Sequence, residues 1–124
     1  MKQISTGSPF EAQLGYSRAI VKGGWCFVSG VTGYDYATVA MPEPALSQAQ
    51  NCFSTIERVL TEAGFTLADI VRVQYTITDA ALVEQIAPAL AAALGVIRPA
   101  ATMVVAGLIR PEMKVEIEVT AFRG

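Results

Sequence analysis

The sequence predicts an α+β fold: a mixed sheet of about six strands with two helices on one face, built as a single domain over residues 1–124. Three observations carry this. Apolar periodicity changes along the chain in the order strands, helix, strand, helix, two strands. The segments at 71–78 and 115–121 alternate strictly, apolar against polar, as half-buried strands do. The composition is lopsided, with 52% hydrophobic and only 16% charged residues, against about 25% charged in ordinary domains.

A chain of 124 residues buries roughly two-thirds of its unfolded surface and needs no disulfide or metal staple. No apolar run reaches the roughly 18 residues of a membrane span, so no membrane partner is expected. The apolar surplus predicts burial against a second subunit. The net charge is −2 with no basic cluster, which disfavours nucleic acid as a partner. There is no histidine, which removes Ser-His-Asp triads, histidine zinc sites and imidazole acid–base chemistry together. Cys26 and Cys52 are not at metal-ligand spacing and read as buried small hydrophobes. No metal site is expected. The N-terminus lacks a charged-then-apolar leader, predicting a cytoplasmic, reduced chain.

Taken in order, Ala19–Val21 and Trp25–Val28 form a hairpin through the glycine turn at Gly23-Gly24. Gly30 and Gly33 bracket a bend, followed by a loop holding Tyr34 and Tyr36. Pro42 and Pro44 disfavour helix before them and suit a helix start at 44–45. From Ala45 to Ala63 the positions Ala49, Cys52, Phe53, Ile56, Val59, Leu60 and Ala63 recur at helical spacing, and Gly64 fits the left-handed residue past the end. Ile70–Thr78 is a strand with Val71, Val73, Tyr75 and Ile77 inward and Arg72, Gln74 and Thr76 outward. Leu82–Leu94 is a second helix, either kinked at Pro88 or split there into a turn and a shorter helix. Ala101–Leu108 and Lys114–Ala121 are the last strands. Val115, Ile117, Val119 and Ala121 share one face of the latter, and Glu116, Glu118 and Thr120 the other. The helices cover the face of Val71, Val73, Ile117 and Val119. The opposite face is too polar for a dry core and suits an oligomer around a partly wet interior.

Several local patterns then fall in a recognisable order: Gly15-Tyr16-Ser17, Val28-Ser29-Gly30, Gln48 through Ala63-Gly64-Phe65, Leu67 to Val73, Arg98-Pro99-Ala100-Ala101, and Lys114 to Glu118. Over nearly its whole length the chain resembles the RidA (reactive-intermediate deaminase, YjgF-like) superfamily. The resemblance implies a chorismate-mutase-like fold and a homotrimer with a cleft between each pair of neighbouring subunits. It implies a small-molecule ligand in those clefts. It also implies cofactor-independent deamination: hydrolysis of an enamine or imine to a carbonyl compound and ammonia. An imine is already electrophilic, so water needs only orientation and a proton path.

Carried over by motif, the catalytic positions are Glu116 and Ser29, with Tyr16 and Gly30 binding substrate; the candidate substrate-binding set is completed by Ala101 at the place of the family's arginine, by Thr102 and Met103 whose backbone amides lie beside it, and by Arg98. The departure is at Ala101, where active relatives carry the arginine of a Pro-Ala-Arg motif. Arg98 lies three residues earlier, about 10 Å along a strand and on the other face. Loss of that two-pronged cation removes the main anchor for a carboxylate substrate. The family's asparagine in the second helix is likewise unmatched, with Ile86 and Ala87 in that region. Arg18 and Arg110, like Arg98, are surface arginines by default, any of which can enter a cleft from a neighbour. Glu118 is expected to point into the trimer's barrel and pair with Arg72 or Lys114. The alternative function is a non-catalytic trimer that binds a small ligand or a protein.

Overall fold

The computed structural model describes residues 1–124. In chain order it contains β1 (Lys2–Ile4), α1 (Pro9–Leu14), β2 (Ala19–Lys22), β3 (Trp25–Thr32), α2 (Ala45–Ala63), a single 3₁₀ turn (Leu67–Asp69), β4 (Ile70–Ile77), α3 (Leu82–Leu94), β5 (Ala100–Val105) and β6 (Val115–Phe122). The strands form one mixed sheet in the order β1-β2-β3-β6-β4-β5. Only β4 and β5 are parallel, joined by α3 as crossover, and every other pair is antiparallel. The fold class stands as expected, with strand boundaries shifted: the penultimate strand ends at Val105 rather than Leu108.

The helix α2 forms where its periodicity placed it. Pro44 precedes the first turn in extended conformation, and Gly64 ends the helix at φ 88°. Its inner stripe of Ala49, Cys52, Ile56, Val59 and Leu60 is fully buried against Val31, Val73, Ile117 and Ala121 of the sheet. The helix α3 runs unbroken through Pro88, so it is not split there into a turn and a shorter helix. No helix is long and apolar enough to cross a membrane.

Three features differ from expectation. The elements β1 and α1 have no counterpart in the periodicity; α1 is capped by Ser8, starts on Pro9 and closes on Gly15 at φ 72°. Val71 faces outward while Ile70 is buried, because a register shift between Ile70 and Arg72 turns the strand over at its start. Arg18 is not a surface residue: it is 1% exposed. The reason is local, and it shapes the site described below.

One buried side chain ties the periphery to the core. Gln48 is fully buried on α2; its amide donates to the Pro42 and Glu112 carbonyls (2.9 and 3.0 Å) and accepts from the Lys114 amide (2.9 Å). Gly33 lies against it so closely that an added Cβ would stand 2.5 Å from the Gln48 Cβ. Gln48→Leu strands three backbone groups at once, each worth roughly 1–3 kcal/mol when left unpaired. Some recover water at the loop surface, so a net loss of about 2–3 kcal/mol is expected in urea denaturation. A loss below about 0.5 kcal/mol excludes Gln48 as the clamp on these loops.

Candidate functional site

The site begins with one extra residue. Between Val28↔Val119 and Val31↔Ile117, β3 advances three residues while β6 advances two. This is a bulge at Ser29-Gly30, and it turns two carbonyls away from the ladder. Arg18, on the chain entering β2, fills the gap. Its Nη1 donates to the Gly30 carbonyl at 2.7 Å and to the Ser29 carbonyl at 3.3 Å, and its Nη2 donates to the Tyr16 hydroxyl at 3.3 Å. The guanidinium lies 5.5 Å from the Tyr16 ring centroid and 5.3 Å from that of Tyr36. Its Nε has no hydrogen-bond partner and stands 4.0 Å from the buried Glu11 carboxylate. Burial of Glu11 pushes its pKa up. The hydrogen bonds it accepts from Thr6 and Ser5, together with Arg18, outweigh this and hold it below the ordinary carboxylate range.

Over the bulge lies Glu116 of β6. A Cβ on Gly30 would meet the Glu116 Cδ at 2.6 Å, so the absent side chain at Gly30 is what lets the carboxyl lie there. Burial raises the Glu116 pKa, Glu118 raises it further, and Arg18 opposes both. Tyr16, Ser29, Gly30, Glu116 and Glu118 line one open cleft of about 280 Å³, with Leu14 and Ile109 at its apolar rim. Four of the motif-derived positions are therefore neighbours. No group of three or more His, Cys, Asp or Glu side chains is arranged to hold a metal.

The other four positions lie elsewhere in the chain. Ala101, Thr102 and Met103 are on β5, separated from β6 by β4. The Thr102 hydroxyl accepts from Arg72 (3.2 Å). Arg98 is exposed in the turn before β5, in left-handed conformation at φ 53°. The Ser29 hydroxyl does not reach Glu116; it donates to the Ser17 carbonyl at 2.7 Å. Glu118 pairs with neither expected partner, since Lys114 bonds Glu43 (2.7 Å) and Arg72 bonds Thr102. Tyr34 is buried away from the cleft and donates to Glu112 (2.6 Å); burial and then that bond raise its pKa to about 12. Arg110 covers the Phe10 ring at 4.9 Å.

The sequence reading missed Glu11 and the central place of Arg18. The Ser29-Gly30 pair in mid-strand was the available signal, because a bulge needs a donor for its freed carbonyls.

Comparison with known proteins places this geometry. Residues 6–123 match the family model described as endoribonuclease L-PSP. The crystal structure of Rv2704 from Mycobacterium tuberculosis, a member of the YjgF/YER057c/UK114 family, superposes with a TM-score of 0.89 at 36% identity over 98% of each chain. RidA from the Antarctic bacterium Psychrobacter sp. PAMC 21119 gives a TM-score of 0.83 at 25% identity, over 98% of this chain and 94% of that one. An uncharacterized protein of Streptomyces coelicolor, SCO2049, is 26% identical over 100% of this chain and 93% of its own.

Proposed function

The chain belongs to the endoribonuclease L-PSP family, the RidA/YjgF-like superfamily, and from that premise we propose that it is a cofactor-independent deaminase. It hydrolyses an enamine or imine to a carbonyl compound and ammonia in clefts between the subunits of a homotrimer. The observation that carries this reading is the Glu116 carboxyl, raised in pKa and lying on Gly30 beside Tyr16 and Ser29. Glu116 takes a proton from the attacking water and returns it to the departing nitrogen. Ser29 orients the water as an acceptor, its own proton being held by Ser17. In the trimer the edge strand β5 of a neighbour closes the cleft with Ala101, Thr102 and Met103, while Arg98, in the turn before that strand, does not take the carboxylate anchor's place at Ala101.

The trimer reading is supported by the sheet face opposite the helices. Trp25, Phe27 and Phe122 are 42, 47 and 41% exposed there and cluster with centroids 6.1 and 4.6 Å apart. An apolar cluster beside a half-polar sheet suits a covered, partly wet interface.

The test is the rate at which freshly generated imines disappear, on protein whose mass in solution is measured by light scattering. Acceleration over buffer by a trimer supports the reading. A folded trimer with no acceleration across the panel favours the alternative, a non-catalytic small-ligand or protein-binding trimer. Ala101→Arg separates anchor from machinery. Restoring one charge-assisted pair is worth about 1.5–3 kcal/mol, so 2-imino-acid turnover is expected to rise by roughly 10- to 100-fold in kcat/KM. No gain, with imine turnover intact, means β5 does not meet the cleft.

A further inference from the structure

The hydrogen-bond directions around the cleft say more about its ligand than its shape does, and the following rests on the deaminase reading above. Arginine can only donate. The Arg18 bond to the Tyr16 hydroxyl therefore makes that oxygen an acceptor, and the hydroxyl makes no other hydrogen bond within the chain. Its own proton is left for the cleft. Ser29 is committed the other way: its proton goes to Ser17, so toward a ligand it can only accept. Glu116 and Glu118 are acceptors when ionised. Of the four polar side chains lining the cleft, three thus offer lone pairs and one offers a proton.

The cations fit this pattern. Arg18 reaches the cleft only through Tyr16 and the bulge carbonyls. Arg72, across from Thr120, is turned to Thr102 instead of to either glutamate. The remaining lining is apolar, from the exposed Leu14 and Ile109.

We infer that this cleft selects a protonated imine without a carboxylate: an alkyl aldiminium, whose NH₂⁺ donates to Glu116 and Glu118 while its chain lies on Leu14 and Ile109 and Ser29 accepts from the attacking water. A 2-imino acid brings a carboxylate, an acceptor, toward a wall that already holds acceptors. The aldiminium brings two N–H donors and a positive charge. Water adds to the C=N carbon, the C–N bond breaks with its electron pair leaving on nitrogen, and an aldehyde and ammonium result: RCH=NH₂⁺ + H₂O → RCHO + NH₄⁺. Tyr16, with its free proton, donates to the oxygen that develops on carbon. The reaction that supplies such a substrate is the oxidation of a primary monoamine.

The experiment compares two imine sources on the full chain. An amine oxidase acting on butylamine supplies the aldimine, an amino-acid oxidase acting on leucine supplies the 2-imino acid, and semicarbazide trapping reads the imine that remains. The expected result is a kcat/KM at least 10-fold higher for the aldimine, with Glu118→Gln reducing that ratio several-fold. Equal or greater turnover of the 2-imino acid overturns the inference and leaves deamination standing. Turnover of neither overturns the deaminase reading, and the cleft's preference is then read by ligand-observed NMR with butylammonium and butyrate. Binding of butylammonium that Glu118→Gln weakens supports the selection for cations. Binding of butyrate alone, or of neither, overturns it.

Discussion

Arg18→Met is expected to lower the unfolding free energy by about 3–5 kcal/mol, the range for breaking a buried charged network from one side. Methionine fills much of the volume but donates nothing. The Ser29 and Gly30 carbonyls, freed from the ladder by the bulge, then face an apolar side chain. The buried Glu11 carboxylate loses its only nearby cation. Arg18 is 1% exposed, so solvent neither screens these contacts nor replaces them readily. Against a typical total of about 5–15 kcal/mol for a domain, that is a large fraction. Urea titration checks it: the midpoint falls while the slope stays constant. Glu11→Gln in the same background recovers part of the loss, because it removes the stranded charge, and the two changes are therefore non-additive. A loss under about 1 kcal/mol for Arg18→Met means water, not the guanidinium, satisfies the bulge.

That same residue marks where the sequence stops being legible. The helix at 45–63 was readable because apolar spacing, Pro44 and Gly64 agree on one answer. The alternation in β4 and β6 was readable for the same reason, save at Val71, where a register shift moves one side chain across the sheet. The helix α1 has only six residues, too few for a period to emerge, although Ser8-Pro9 and Gly15 carry its start and stop signals. Arg18 looked like any surface arginine because its burial is dictated by carbonyls 11 and 12 residues further along the chain. Of the site, motif order brought Tyr16, Ser29, Gly30 and Glu116 into one cleft. It could not bring Ala101, Thr102, Met103 and Arg98 there, since the sheet order puts β4 between β5 and β6. Within one chain they do not meet Glu116.

Glu116→Gln carries the largest expected effect on activity. A positioned acid–base group typically contributes about 10²- to 10⁴-fold, so imine turnover is expected to fall by that factor. The amide keeps the shape that Gly30 accommodates and loses only the proton relay. Stability separates this from unfolding. Burial, then Glu118, raise the Glu116 pKa in the folded chain above its value in the unfolded one. For an acid with a raised folded pKa, the folded state binds the proton more tightly. The stability this confers is fully present below the unfolded pKa, near 4.3 for glutamate, and is lost as pH rises through the folded pKa. Above the folded pKa the wild-type chain therefore bears the cost of an ionised, half-buried carboxylate, and Glu116→Gln does not. The variant is expected to melt at or above the wild-type temperature at pH 7, the difference closing as pH falls to about 4. An inactive variant that is also more stable at pH 7 assigns Glu116 to the chemistry. A variant that retains full turnover removes Glu116 from the mechanism, and one that melts below wild type at pH 7 makes the carboxylate a structural acceptor.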